Sequence, residues 1–145
     1  MNEYMKIALD EATYGVRKQH GGPFGCVIVK DGKIIAKAHN EVVRRKDATN
    51  HAEIRAIQMA SKKLRAFDLS GCELYATGKP CPMCRHAIMW AKISKVYYGC
   101  DYEDAHEIGF MEETGNVEGY MEIQIEKDAC KELYNEYGKG DHTKY

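Results

Sequence analysis

The sequence predicts an α/β fold in the form of a three-layer sandwich. Two kinds of hydrophobic pattern alternate along the chain. Some segments carry apolar residues three or four positions apart, which is typical of amphipathic helices, and others are short apolar or alternating runs, which are typical of strands. Because helices and strands alternate in one short chain, we expect helices to pack on the two faces of one sheet.

The first part of the chain predicts a helix and then a hairpin. Four apolar residues recur at spacings of four, three and four: Met5, Leu9, Ala12 and Val16. This helix ends near the Gly-Gly-Pro sequence at 21–23. A strand over 24–29, a turn over 30–33 and a returning strand over 34–38 follow, so the first two strands are antiparallel.

The rest of the chain predicts three helices and three strands. Apolar residues at helical spacing indicate helices, and dense or alternating apolar runs indicate strands. In chain order we expect a helix over about 51–65, a strand over 72–77, a helix over 81–91, a strand over 96–98, a less regular stretch over 101–119, a strand over 120–125 and a closing helix over 128–137.

Length and composition favour one compact domain over residues 1–145. The chain has 145 residues, of which 44% are hydrophobic and 30% are charged. A chain of this size can bury a substantial core. The sequence contains no internal repeat or low-complexity tract that would suggest another organisation.

The charge balance argues against nucleic acid as the main partner. Twenty-one Lys and Arg against 22 Asp and Glu give a net charge of -1, without the basic excess that phosphate contacts require. The basic run at 42–46 is a candidate local patch, although such runs are usually solvated loops. We therefore expect a small neutral substrate.

The cysteines and the hydropathy pattern favour a cytoplasmic protein. The first residues lead directly into an amphipathic helical pattern, not into the pattern of a signal peptide. We therefore expect the six cysteines to be reduced thiols. No apolar run approaches the roughly 20 residues that cross a bilayer, so we expect no membrane association.

Two separated motifs predict a catalytic zinc site. His51-Ala52-Glu53 is followed by Pro80-Cys81-Pro82-Met83-Cys84. One histidine and two cysteines supply three ligands, which leaves the fourth position of a tetrahedral zinc for water or hydroxide. We expect Cys81 and Cys84 to share one face at the start of a helix, where the helix dipole favours thiolates. The spacing therefore predicts one Zn²⁺ per chain.

Other interpretations of the two cysteines are weaker. A Cys-x-x-Cys sequence is also typical of dithiol redox proteins and of structural zinc sites. A redox motif has no need of His51, and a structural site needs a fourth ligand, for which Cys72 or Cys100 could serve. A zinc module that binds a partner without catalysis also has no use for Glu53.

Glu53 has a structural and a catalytic interpretation. Asn50 followed three residues later by Glu53 resembles a capping box, in which the glutamate closes the start of a helix. In the catalytic interpretation, Glu53 takes a proton from zinc-bound water and passes it to the substrate. We expect His51 to bind the metal and Glu53 to move the protons.

These residues resemble the cytidine and deoxycytidylate deaminase superfamily, and within it the bacterial guanine deaminases. The motif H-x-E with P-C-x-x-C is typical of zinc-dependent nucleobase deaminases. The resemblance covers nearly the whole chain: Gly21 to Gly25, Val27 to Gly32, Asn40, Ala87-Ile88, Trp90-Ala91, Asp104, Glu107, Gly109-Phe110 and the final Lys144-Tyr145. Lys79, Arg85 and His86 depart from the residues that are usual in this family.

The resemblance implies a fold, an activity and an assembly. The fold is a three-layer α/β/α sandwich with a five-stranded mixed sheet, and the reaction is hydrolysis of guanine to xanthine and ammonia. The partner is a second copy of the chain. The C-terminal segment, about 127–145, is exchanged between subunits, and Tyr145 closes the partner's pocket.

The resemblance also implies roles for individual residues. Asn40 hydrogen-bonds the purine edge and the backbone of Ala52 contacts the base, while Phe24 and Trp90 pack against it. Asp104 handles a second proton. Read without the resemblance, Phe24 and Trp90 are typical core aromatics, Asn40 is a turn residue and the polar tail is a frayed terminus.

The zinc motif does not select the ring that is deaminated. Alternatives to guanine are cytosine, an aminated triazine, guanosine or another nucleoside, and adenosine in tRNA. The tRNA alternative requires a basic surface that the net charge does not favour.

Overall fold

The computed structural model of the chain describes residues 1–110 and 119–142. Helices and strands alternate in these residues as follows: α1 (Glu3–Arg17), β1 (Gly25–Lys30), β2 (Lys33–His39), α2 (Val42–Arg45), α3 (Ala52–Leu64), β3 (Cys72–Gly78), α4 (Pro82–Trp90), β4 (Lys95–Cys100), α5 (Tyr102–Glu107), β5 (Met121–Gln124) and α6 (Lys127–Lys139).

The five strands form one mixed sheet in the order β2-β1-β3-β4-β5. β1 is antiparallel to both β2 and β3, and β3, β4 and β5 are parallel to one another. Asp31 and Gly32 adopt positive φ angles of 50° and 74° in the hairpin between β1 and β2. Positive φ angles at both central residues are typical of the two-residue turns whose twist matches that of the two flanking strands.

β1 is the centre of the core because both of its faces are buried. Cys26 and Ile28 face a cluster formed with α3 and α4, and Val27 and Val29 face a second cluster formed with α1 and α6. Successive side chains of a strand point to opposite faces, so this alternation requires a helical layer on each side. The predicted three-layer α/β/α sandwich with a five-stranded mixed sheet is confirmed.

Close packing of α1 on the sheet depends on Gly25. A Cβ atom at this position would lie 1.9 Å from the carbonyl oxygen of Ala8, so only glycine allows the helix to approach so closely. Asn2 begins α1 as its N-cap, and its Oδ1 accepts hydrogen bonds from the backbone N–H groups of Tyr4 and Met5, both at 2.9 Å. The start of β1 is thereby fixed against the helix.

The predicted elements are present, and two short helices were missed. α2 has only four residues and lies in the basic run that we interpreted as a loop. α5 has six residues and lies in the stretch that we expected to be irregular. The local sequence does carry a sign of the start of α5, because Asp101 and Asp104 form a reciprocal capping box there. Among the described residues, we find no helix with the length and hydrophobicity needed to span a bilayer.

Candidate active site

The candidate site lies at one edge of the sheet, where β2, β3 and β4 end and β1 begins. Gly78 and Cys100 end the parallel strands β3 and β4 at this edge. Because β1 is antiparallel to its two neighbours, the start of β1 at Gly25 and the end of β2 at His39 lie at the same edge. The carboxyl ends of parallel strands are the usual place for ligand sites in α/β sheets.

Two helix starts bring the three predicted metal ligands together. His51 is the N-cap residue of α3, and Cys81 is the N-cap residue of α4, with Cys84 in the first turn. His51 Nδ1 lies 3.6 Å from Cys81 Sγ and 3.5 Å from Cys84 Sγ. A tetrahedral zinc with usual bond lengths separates its nitrogen and sulfur ligands by about 3.6 Å. The cluster therefore fits zinc.

One of the two thiols, Cys81, loses its proton easily, and the other, Cys84, keeps it. A hydrogen bond from Cys84 is the largest influence on Cys81 and lowers the pKa of its thiol to about 4, against the effect of burial. The pKa of Cys84 is raised, first because its thiol donates to Cys81 and then because it is buried. The pair therefore presents one thiolate, which attracts a cation, and releases its second proton when a metal binds.

The carboxyl group of Glu53 faces the same pocket and is not used as a helix cap. The N-cap of α3 is His51, not Asn50, so the predicted alternative of a capping box is wrong. Glu53 is 7% exposed and lines the pocket beside His51 and Cys81. Burial raises the pKa of Glu53 to about 7, with His51 opposing the shift and Cys81 adding to it. A carboxyl group with this pKa can take up and return a proton at neutral pH.

An aromatic wall encloses the rest of the pocket, which has a volume of about 400 Å³. The Phe24 ring meets Phe110 edge to face, with centroids 5.0 Å apart, and meets Tyr134 in the same way at 5.7 Å. All three residues line the cavity. Such a mainly apolar pocket with a few polar groups is typical of a small-molecule site.

Asn40 and Ala52 lie beside the metal cluster, and their predicted contacts with the base stay predictions. Asn40 lines the pocket, is 1% exposed and immediately follows β2. Its backbone N–H donates to the Phe24 carbonyl at 3.0 Å, and its Oδ1 accepts from the backbone N–H of Val42 at 3.0 Å. Ala52 is fully buried as the first residue of α3. Asn40 is thus held rigidly at the pocket edge.

Asp104 lies outside the residues that line the cavity, and its predicted transfer of a second proton stays a prediction. Asp104 is 3% exposed, and its carboxylate pairs with Lys127 at 3.5 Å and with Lys131 at 3.2 Å, both on α6. It also accepts from the backbone N–H of Asp101 in the capping box. Asp101 and Ala105, not Asp104, line the pocket. In the structure Asp104 anchors α6 to α5.

Trp90 also lies away from the pocket within its own chain, and its predicted packing against the base stays a prediction. The side chain ends α4 and is 80% exposed. It borders a separate surface groove with Ile57 and Phe67. The reason is its position on the helix, because α4 begins at the pocket and runs away from it. The predicted contact of Tyr145 lies outside the described residues.

Sequence reasoning missed Phe110 and Tyr134 as pocket residues. Phe110 follows α5 and Tyr134 is in the middle of α6, so both reach the site from segments distant in sequence. Gly78 allows the approach of α6, since a Cβ there would lie 2.3 Å from the Tyr134 hydroxyl. Only the helical spacing of Cys130, Leu133, Tyr134 and Tyr137 could have indicated a buried face.

The basic run at 42–46 is partly neutralised by one carboxylate. Glu41 accepts from Arg44 at 3.0 Å, from Arg45 at 2.9 Å and from Arg55 at 2.8 Å. Burial opposes its ionisation, but the hydrogen bonds and charges of Arg45 and Arg55 hold the pKa of Glu41 below its usual value. Glu41 therefore joins α2 to α3 beside Asn40 and His51.

The fold and the metal cluster define a class of metal-dependent hydrolase, and comparison with known proteins identifies the family. Residues 1–100 match the family model described as the cytidine and deoxycytidylate deaminase zinc-binding region. The chain belongs to this family and is a hydrolytic deaminase. The match includes all three predicted metal ligands and Glu53.

Relatives in this family have different substrates. Guanine deaminase from Bacillus subtilis is 49% identical over 107 residues, which are 74% of this chain and 69% of that protein. Its crystal structure has a TM-score of 0.74 at 47% identity and covers 77% of this chain and 73% of that one. The tRNA-specific adenosine deaminase of Aquifex aeolicus is 46% identical over 95 residues, 66% of this chain and 62% of that protein.

A guanine deaminase structure from Nitrosomonas europaea matches more of the chain at lower identity. It has a TM-score of 0.88 at 27% identity and covers 94% of this chain and 84% of that one. The match therefore extends well beyond Cys100, into the region from which Phe110 and Tyr134 reach the pocket. The family model ends at residue 100.

We predict that Glu41→Gln lowers the free energy of unfolding by about 1–3 kcal/mol at pH 7, because three guanidinium groups then lose a charged acceptor. Since folding lowers the pKa of Glu41, its contribution is complete above the ordinary carboxyl pKa and is lost as the pH falls through the folded value. Urea unfolding at pH 7 and pH 3 measures this difference. Glu132→Gln, an exposed position on α6, is the matched control. An equal loss at both pH values would contradict the charge account.

Proposed function

We propose that this deaminase acts on guanine, forming xanthine and ammonia. The observation that carries the proposal is the pocket itself, in which Asn40 and the Phe24, Phe110 and Tyr134 rings face the cluster of His51, Cys81 and Glu53. Flat aromatic walls suit a planar base, and a buried amide at the edge suits its hydrogen-bonding groups. The identity to the Bacillus subtilis guanine deaminase supports the same substrate.

His51, Cys81 and Cys84 would hold one zinc ion per chain, with water or hydroxide in the fourth position. The separations of 3.5 and 3.6 Å between the imidazole nitrogen and the two sulfur atoms support this assignment. When bound, zinc lowers the pKa of water so that a nucleophile exists at neutral pH. His51 and Cys81 line the pocket at the starts of α3 and α4, so a zinc ion held there would supply its chemistry beside Glu53.

Glu53 is the proton carrier of the proposed reaction. One water molecule adds to C2 of guanine, and Glu53 takes a proton from that water and gives it to the adjacent ring nitrogen. Glu53 then transfers the remaining proton of the water to the amino group, the bond between C2 and that nitrogen breaks, and ammonia leaves. The buried position of Glu53 and its raised pKa support both directions of transfer.

Residues around the base would orient it for this attack. Asn40 hydrogen-bonds the purine edge, the backbone of Ala52 contacts the base and Phe24 packs against its face. The hydrogen bond that the Asn40 Oδ1 accepts from the backbone N–H of Val42 supports a fixed orientation for its side chain. Tyr134 adds a second aromatic surface, and it can do so because Asp104 holds α6 in place through Lys127 and Lys131.

The tRNA adenosine alternative rests on the 46% identity to the Aquifex aeolicus enzyme. Charge does not favour it, because the net charge is -1 and Glu41 already binds Arg44, Arg45 and Arg55. The match to the Nitrosomonas europaea guanine deaminase covers the C-terminal region of this chain, which favours the free base. Nucleic acid is therefore the less favoured substrate.

We predict that the zinc-loaded protein releases ammonia from guanine and at most a few per cent as fast from cytosine, guanosine, an aminated triazine or a tRNA anticodon stem-loop. Glu53→Gln should keep its zinc and lose at least about a thousandfold in kcat, because general acid and base catalysis is removed. Ammonia release and metal content are measured on the same samples. Faster turnover of any other substrate refutes guanine, and near-normal activity of Glu53→Gln refutes the proton carrier.

We also propose that the protein is a homodimer that exchanges its C-terminal segment, about 127–145. Exposed Phe67 and Trp90, at 86% and 80%, border an apolar groove on the α3 and α4 face. Large exposed apolar patches are typical of interaction sites. Within its own chain α6 packs on β4, and an exchanged copy would fill the same position.

The chain would function as one domain, 1–145, in the cytoplasm. Phe110 and Tyr134 contribute to the pocket from beyond the matched family region, which supports a single unit over the chain. All six cysteines are free and buried, as is usual for proteins of a reducing compartment. No membrane partner is proposed.

Mixed dimers test the exchange and the role of Tyr145. Glu53→Gln chains and chains lacking residues 143–145 should each be inactive alone. Refolded together in equal amounts, they should recover about a quarter of normal activity, because half of the dimers combine both chains and one of their two sites is intact. A mixture no more active than its separate components contradicts action of Tyr145 in the partner's pocket, as does an active truncated chain.

A further inference from the structure

Arg85 is a buried cation directly beside a metal ligand. It follows Cys84 in α4 and is 3% exposed. Its Nε donates to Glu122 Oε1 at 3.1 Å and its Nη2 donates to the Tyr102 hydroxyl at 2.9 Å. Burial of a charged side chain is costly unless its donors are paired, so these contacts fix the guanidinium group.

The Tyr102 hydroxyl continues this chain of contacts to the other side of the ligand pair. It accepts from Arg85 and donates to the carbonyl oxygen of Pro80, the residue before Cys81. Tyr102 is 4% exposed, so water competes little for either hydrogen bond. Arg85 and Pro80 flank the segment that carries both cysteine ligands, and one hydroxyl group joins them.

A second cation ties the same segment to the sheet edge. Lys79 Nζ lies 3.9 Å from Glu122 Oε2 and 5.0 Å from the centre of the Tyr102 ring. Its backbone N–H donates to the Cys100 carbonyl at 2.7 Å. Glu122 on β5 therefore forms ion pairs with both ends of the Lys79–Arg85 segment.

We propose that Arg85 is a positioning residue that, through Tyr102 and Glu122, holds the turn bearing Cys81 and Cys84 in its metal-binding geometry. This role of Arg85 concerns the metal site. It rests on the proposed guanine deaminase function only for the values of kcat and KM. Residues that orient metal ligands from outside the coordination sphere commonly change metal affinity or activity about 10–100-fold when they are removed.

The geometry explains why Arg85 is suited to this role. A guanidinium group can donate to two separate acceptors from a planar, rigid fork, whereas an ammonium group acts as a point charge. Arg85 uses this property to bridge α5 and β5 while its own backbone lies next to Cys84. Arg85→Lys should therefore keep the pairing with Glu122 and lose the link to Tyr102.

The test compares zinc release and ligand geometry in four variants: Arg85→Met, Arg85→Lys, Tyr102→Phe and the control Arg17→Met, which removes an exposed arginine of α1. Zinc release to a chelator is followed for each folded, zinc-loaded protein. The visible spectrum of the cobalt-substituted protein reports the ligand geometry. Values of kcat and KM for guanine are measured separately.

Arg85→Met and Tyr102→Phe should release zinc about tenfold faster or more, shift the cobalt spectrum and lower kcat with little change in KM. Arg85→Lys should be intermediate, and Arg17→Met should behave like the unmodified protein. If Arg85→Met does not fold, Tyr102→Phe decides the result. Unchanged zinc release and cobalt spectrum in the folded variants overturn the proposal. Absence of guanine turnover in the unmodified protein refutes the substrate alone, because both metal readouts remain.

Discussion

The meeting of two helix starts at one sheet edge is the constraint on which the rest of the site depends. His51 caps the start of α3 and Cys81 caps the start of α4, and the ligand atoms of His51, Cys81 and Cys84 lie within 4.8 Å of one another. For these atoms to meet, the carboxyl end of β3 must lie at the same edge of the sheet as the start of β1 and the end of β2. Because the helices are packed on the sheet by buried side chains, the metal geometry follows from the core.

Charge is arranged on both sides of this cluster. On the side of Asn40, Glu41 forms ion pairs with Arg44, Arg45 and Arg55. On the other side, Glu122 forms ion pairs with Lys79 and Arg85. In each case one carboxylate with little exposure pairs with several cations in a segment next to a metal ligand. Between them, burial is the largest influence on Glu53 and outweighs the opposing charge of His51, so its pKa of about 7 leaves the carboxyl group able to exchange protons.

Patterns local in sequence predicted the fold and the reactive centre well. Helical and strand periodicity gave all five strands and the long helices, and the spacing of His51, Cys81 and Cys84 predicted a cluster that the structure brings together. Both ligand motifs lie at helix starts, and the local sequence marks the start of α4 through Pro80 and Pro82.

Residues whose positions depend on packing between distant segments were not predictable in this way. Asp104 was assigned to proton transfer, but α6 supplies two lysines that engage its carboxylate. Trp90 was assigned to the pocket, but α4 carries it away from that pocket. Tyr134 and Arg85 acquire their surroundings only when α6 and β5 join the sheet. A single sequence does not indicate which side chain of an apolar or charged pattern will face a cavity.

X-ray absorption at the zinc edge tests the central claim most directly, that three protein ligands leave an open coordination position. The account predicts one zinc per chain with two sulfur neighbours at about 2.3 Å and two nitrogen or oxygen neighbours at about 2.0–2.1 Å. Only one of the latter should show the outer-shell scattering of an imidazole ring. A third sulfur, as would arise if another cysteine joined the site, or a second imidazole would contradict it.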